Sequence, residues 1–231
     1  MKIITAQPFF NEIDLMQLKM SLLVGRITTH VVVEGNLTFT GQPKELIWPG
    51  RLGGPRLGRD VHYRVCELPA EADSPWVREG LQYAAVRAAV KELDPDIVLW
   101  LDADEIPRPD VIDRFIKSGV ETATLEMDHL LYDFGNLSTK HKWTNAKIGW
   151  YRPDADPQPW RGMTGLPVIT GAGWHCESFG GRERILTKTA AFSHAPEQGC
   201  IDYRARVAAG ELPGMEDTAP YPFNLWPRSE R

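Results

Sequence analysis

Asp96-Ile97-Val98-Leu99-Trp100-Leu101-Asp102-Ala103-Asp104-Glu105 is the stretch whose reading decides the fold. Its nearly continuous apolar run reads as a strand buried on both faces, as in a parallel sheet. The run ends abruptly in Asp102, Asp104 and Glu105. Ligands of open α/β sheets bind beyond the carboxyl ends of the strands, which is where these acids fall. Crowded carboxylates repel one another at low dielectric. A divalent cation of the Mg²⁺ or Mn²⁺ kind relieves that repulsion, because it favours carboxylate oxygens and takes substrate phosphates as further ligands. On an extended chain Asp102 and Asp104 share one side and Ala103 points away. The bland alternative is a solvated turn with Asp104 capping the next helix. The buried strand before the acids, and Ile106-Pro107 after them, favour the ligand reading.

Outward from this strand, the first half alternates strand and helix. Lys2–Ala6 reads as a strand and Asn11 as the N-cap of a helix over 12–23, with Leu15, Leu18, Leu22 and Leu23 at helical spacing. Thr29–Val33 is a β-branched strand ending at Glu34, and 61–68 holds a third. A helix from about Trp76 to Leu93 has Pro75 at its start, and 109–117 is a further helix candidate. Between them, 35–59 is rich in Gly and Pro and reads as a long loop. This alternation predicts an α/β class, a single domain with a mostly parallel central sheet flanked by helices. From Glu121 onward the chain is richer in aromatics, Gly and Pro. It reads as a loop-rich C-terminal half with short strands, helices near 183–191 and 201–209, and an extended tail over 211–231.

The bulk numbers set bounds. A chain of 231 residues, 42% hydrophobic and 25% charged, is long enough for one sizeable core. A formal net charge of -5 argues against non-specific nucleic-acid binding. Arg51, Arg56, Arg59 and Arg64 form a local basic stretch, read first as a solvated loop and second as a phosphate or acceptor contact. Cys66, Cys176 and Cys200 form neither a disulfide framework nor a metal pattern and suit a reducing, cytoplasmic setting. No apolar run is long enough to span a membrane, Met1–Ala6 is too short for a signal peptide, and the sequons at Asn36 and Asn136 read as chance.

Several motifs follow one another in order: Phe10-Asn11-Glu12, Val32-Val33-Glu34, Thr38-Phe39-Thr40-Gly41-Gln42-Pro43-Lys44, Leu101-Asp102-Ala103-Asp104-Glu105-Ile106-Pro107, Gly173-Trp174-His175-Cys176, then Lys188 with Phe192-Ser193-His194. Over about residues 1 to 210 this ordered set resembles glycosyltransferase family 17, the family of the β-1,4-mannosyl-glycoprotein N-acetylglucosaminyltransferase. The resemblance implies a GT-A-like fold, a nucleotide-sugar-binding half over 1–120, an acceptor and catalytic half over 121–210, a UDP-sugar donor (UDP-GlcNAc) and inversion at the anomeric carbon. By the same resemblance Asp102 and Asp104 serve metal and diphosphate. Asn11, Glu12 and Glu34 contact base or ribose, and Lys44 pairs with the diphosphate. Two positions depart from the family pattern: Glu177 stands where Ser is expected, and Pro196 intervenes before Glu197.

An inverting transfer needs a base for the acceptor hydroxyl and charge stabilisation for the leaving diphosphate. Asp104 is the expected direct ligand of Mn²⁺ or Mg²⁺, with Asp102 acting through water or ribose and His194 or His175 completing the shell. Glu177, beside Trp174 and Phe179, is the first candidate base, and Glu197 and Asp133 are its rivals. Each of these acids also reads as an exposed salt-bridge partner, and each histidine as a structural one. Trp143, Trp150 and Trp160 are groove candidates that read by default as core. The partners are then a nucleotide-sugar donor and a carbohydrate or other hydroxyl-bearing acceptor, a modified nucleobase among them. Competing readings of the same acids are a metal-dependent phospho- or nucleotidyltransferase and a nucleotide-sugar-binding module without turnover.

Overall fold

The structure is a computed structural model that describes residues 1–48, 61–153 and 162–221. In chain order the strands are β1 (Ile3–Phe9), β2 (Thr29–Gly35), β3 (Val61–Cys66), β4 (Ile97–Trp100), β5 (Glu105–Pro107), β6 (Thr122–Leu125), β7 (Asp128–Leu131), β8 (Asn136–Ser138), β9 (Lys147–Trp150), β10 (Val168–Ile169), β11 (Gly173–Glu177) and β12 (Thr218–Pro220). The α-helices are α1 (Ile13–Leu22), α2 (Pro75–Leu93), α3 (Val111–Ser118), α4 (Gly181–Ala191) and α5 (Gln198–Ala208). The strands form two sheets, one of seven strands in the order β10-β6-β9-β4-β1-β2-β3 and one of five in the order β12-β8-β7-β11-β5.

The α/β class holds, but the expectation of a mostly parallel sheet is corrected to a mixed arrangement. β3, β2, β1 and β4 run parallel, while β9 is antiparallel to both β4 and β6. In the five-stranded sheet only β7 and β11 are parallel. β8 follows β7 after only four residues, a connection that an antiparallel pair allows and a parallel one does not, while β9, β11 and β12 return from far along the chain to lie against β4, β5 and β8 in the opposite direction. The residues from 213 do not simply trail away. Met215–Asp217 forms a 3₁₀ turn and β12 pairs with β8 at the sheet edge.

β4 is buried on both faces as its sequence implied. Ile97, Leu99 and Leu101 pack with Val111, Ile112 and Phe115 of α3. Val98 and Trp100 turn the other way, onto Val86, Ala89 and Val90 of α2. The period-2 alternation of a strand is thus consumed entirely by core, at about 2 kcal/mol per fully buried aliphatic side chain. Two polar groups dock α2 on the strand ends. Gln82 Nε2 donates to the Val33 carbonyl at 2.7 Å and the Phe9 carbonyl at 3.3 Å. The Arg78 guanidinium donates to the carbonyls of Phe39, Pro69 and Ala70. At α1 the cap position belongs to Glu12 and not to Asn11, because the Glu12 carboxylate folds back onto its own preceding amides.

Candidate active site

A cleft of about 720 Å³ opens beyond the carboxyl ends of β1, β2 and β4. Asp102 and Asp104 both line it. They sit on a tight turn and not on the extended chain expected for Asp-Ala-Asp, since the Glu105 amide donates back to the Asp102 carbonyl at 3.2 Å. Glu105 points inward and holds the turn. Its Oε2 accepts from the Asp102 amide at 2.7 Å and its Oε1 from the Trp143 indole at 2.6 Å. Beneath lies Lys19, whose ammonium donates to the Asp102 carbonyl at 2.7 Å. Burial lowers the Lys19 pKa to about 8, against the pull of Glu105, Asp104, Asp102 and Glu12. Tyr83 donates its hydroxyl proton to Asp102 Oδ1 at 2.6 Å.

Asp104 is more deeply placed. Its Oδ2 lies 2.7 Å from Lys188 Nζ, and the same ammonium reaches Glu12 Oε1 at 3.0 Å. Burial alone would raise the Asp104 carboxyl, but Lys188 and then His175 hold it well below the usual carboxylate range. Glu12 is held down likewise, burial being outweighed by Lys188. The two acids in turn push Lys188 up in spite of its burial. The charges of this corner are therefore fixed across the neutral range.

The opposite wall comes from the five-stranded sheet. His175 Nε2 lies 3.7 Å from Asp104 Oδ1, and its ring is stacked on Trp143 with centroids 3.8 Å apart. Burial drops the His175 pKa to about 4, against Asp104 and Glu177. The ring is neutral at neutral pH, and its buried Nδ1 has no hydrogen-bond partner among the described residues. His129 Nε2 donates to Glu177 Oε2 at 2.5 Å, and His129 Nδ1 meets His141 Nε2 at 3.0 Å. Burial favours a protonated Glu177, but the His129 hydrogen bond works against it and the carboxyl is lowered. One ligand atom each from His129, His175 and Glu177 lies within 4.8 Å of the others. Imidazole nitrogen with carboxylate oxygen is a donor set that suits a divalent transition metal.

A fixed acidic corner at the end of a parallel strand thus faces a histidine-held carboxylate in one cleft. The sequence profile described as glycosyltransferase family 17 matches residues 1–206. The chain belongs to glycosyltransferase family 17. It is a sugar-transferring enzyme by that membership. No curated protein sequence matches it. Among solved structures it is similar to TarS 1-349 of S. aureus, at 11% identity, TM-score 0.45, over 91% of this chain and 72% of that one. The same TarS fragment in complex with UDP-GlcNAc gives 11% identity and TM-score 0.46, over 91% of this chain and 73% of the other.

The remaining expected residues of this family 17 glycosyltransferase fall in different places. Glu34 is fully buried and takes four hydrogen bonds, from Lys44 Nζ at 2.5 Å, the Ile47 and Trp48 amides at 2.8 and 3.1 Å, and the Tyr63 hydroxyl at 3.0 Å. Glu34 and Lys44 thus anchor the segment after β2 to one another. Asn11 sits beside the cleft with its Oδ1 buried and without a partner among the described residues. His194 lines the cleft at the rim, half exposed and bonded through Nδ1 to Glu197 Oε1 at 2.9 Å. Glu197 and Asp133 do not line the cleft. Asp133 caps the Gly135 amide at 2.6 Å. Arg64 lies on β3 paired with Glu92, whereas Arg51, Arg56, Arg59 and Trp160 fall outside the described residues. Lys19, Tyr83, His129 and His141 were not singled out from sequence. For Lys19 the signal was present: a lone cation on the apolar helix between Met16 and Met20 needs a buried partner.

Proposed function

We propose that this family 17 glycosyltransferase moves a sugar, GlcNAc, from a UDP-sugar to an acceptor hydroxyl with inversion at the anomeric carbon. The observation that carries the reading is that Asp104 and Glu177 open into one cleft with His175 next to both. Asp104 and His175 would hold Mn²⁺ or Mg²⁺, with Asp102 turned to ribose or a ligated water. The neutral ring of His175, whose Nε2 is turned toward Asp104 Oδ1, fits that role. A bound ion supplies neutralisation of the leaving diphosphate. Lys188 holds Asp104 and Glu12 in place and adds a fixed positive charge to the same corner. Glu177 accepts the acceptor's hydroxyl proton, with His129 fixing the carboxylate's orientation from behind. Of the three candidate acids it is the one in the cleft.

The test is thermal shift with UDP-GlcNAc, UDP-Glc, UDP-Gal and GDP-mannose, each with and without Mn²⁺. A ligand that binds only the folded state raises Tm by mass action. UDP-GlcNAc is expected to raise it, more so with metal, and Asp104→Ala to remove the effect. Failure of every UDP-sugar at millimolar concentration would sink the donor assignment. The convergence of His129, His175 and Glu177 also favours a second reading, in which Glu177 is a metal ligand and not a base. Calorimetric titration of Mn²⁺ into Glu177→Gln separates the two: affinity is kept if Glu177 is the base and falls if it is a ligand.

A further inference from the structure

Helix α2 has two committed faces. Arg78, Gln82, Val86 and Ala89 are buried on the sheet side. Trp76, Gly80, Tyr83 and Arg87, at spacings of four, three and four, form a second stripe, and all four line the cleft. Two members of this stripe have no explanation in the packing of the protein. Trp76 is 47% exposed although it is a large aromatic, and touches the His194 ring edge-on with centroids 4.5 Å apart. Gly80 sits in the interior of a 19-residue helix, where glycine costs roughly 1 kcal/mol relative to alanine. A Cβ built there meets no atom of the described residues within 4 Å. Its backbone is helical, so no left-handed conformation calls for glycine. The small residue leaves room over the helix backbone, open to the cleft, flanked by an aromatic one turn before it and another one turn after it.

We infer that the Trp76–Gly80–Tyr83 face of α2 is the seat of the donor's nucleoside, with Trp76 stacking on the base and Gly80 giving the ring access to the helix surface. This rests on the UDP-sugar reading above. The direction follows from the acid turn. Tyr83 bonds Asp102, on the α2 side of the turn, while Asp104 faces His175 and, beyond it, Glu177. A donor whose diphosphate lies at Asp104 and whose sugar points to Glu177 must extend its nucleoside past Asp102 and Tyr83, toward Gly80 and Trp76. A planar base suits this surface, because stacking on an aromatic face needs area and closeness and few hydrogen bonds.

The experiment is calorimetric binding of UDP and of inorganic pyrophosphate, with Mn²⁺ present, to the full chain and to Trp76→Ala and Gly80→Ala, together with Tm for each. UDP affinity is expected to fall about tenfold in both variants, from lost base stacking in one and a methyl group in the ring's path in the other. Pyrophosphate affinity should stay unchanged, and Gly80→Ala should melt no lower than the parent because its methyl meets no protein atom. Unchanged UDP affinity in either variant overturns the inference, as does a parallel loss of pyrophosphate affinity or a lower Tm for Gly80→Ala. A parent chain that binds no UDP overturns the donor reading itself, and this inference with it.

Discussion

The two sheets each bring one carboxylate to the cleft, and they hold it by different means. On the seven-stranded side Asp104 is clamped by Lys188, which is shared with Glu12. On the five-stranded side Glu177 is held by His129, and its side chain is 44% exposed. The ammonium keeps its proton through the neutral range and holds two carboxylates by charge, whereas the imidazole holds one by a hydrogen bond. The difference matches the proposed division of labour, in which one corner is a permanent charge template and the other takes a proton. Breaking each side separately is the way to test that division.

The largest effect is expected from Asp104→Asn. It leaves the Lys188 ammonium with Glu12 alone and removes the expected metal ligand. Turnover should fall by about 10³-fold or more, and stability in urea by about 3 kcal/mol, as for other buried pairs deprived of one partner. If turnover survives, the template role belongs elsewhere. Glu177→Gln should be next, lowering kcat by about 10²- to 10⁴-fold, with Tm and UDP affinity close to the parent's because the side chain is partly open to water. A fall in stability of Asp104 size would erase the contrast between the two sides.

The smallest effect is acid sensitivity. Burial depresses His175 to about 4, and His30, bonded to Thr5 inside the parallel sheet, to about 3. Unfolded imidazoles near 6.5 bind protons that these folded ones refuse. Their contribution is therefore complete above pH 6.5, is lost progressively as pH falls, and is gone below about 4 for His175 and about 3 for His30. Urea unfolding at pH 7 and pH 5 should differ by about 2 kcal/mol per histidine, and His30→Gln should remove one share. His30 is the control on the seven-stranded side, since it lies away from the acids of the cleft.

The parallel half was legible because its signals are local. The apolar run of β4, the Pro at the start of α2 and the acids at the strand end all act within a few residues. The acidic pair was visible for the same reason, although its turn geometry was not, because the Glu105 carboxylate that closes the turn is itself held by Trp143, and Lys19 fixes the Asp102 carbonyl, both from distant positions. The partners of Glu34 and the link between His129 and Glu177 were hidden for a like reason: they join residues 10 to 48 positions apart. Short antiparallel strands carry little periodicity, so the five-stranded sheet left few traces beyond its aromatics.

β5 begins one residue after Asp104, yet it pairs with β11, where His175 sits opposite Glu105. The pairing is close at Gly173, where a side chain would run into the Ile106 carbonyl. The seam between the two sheets therefore does not coincide with the midpoint of the chain. A chimera that exchanges acceptor halves between family members at residue 120 would cut this strand pair and join strangers. Successful breakpoints are expected before residue 105, so that Glu105–Pro107 travels with Gly173–Glu177.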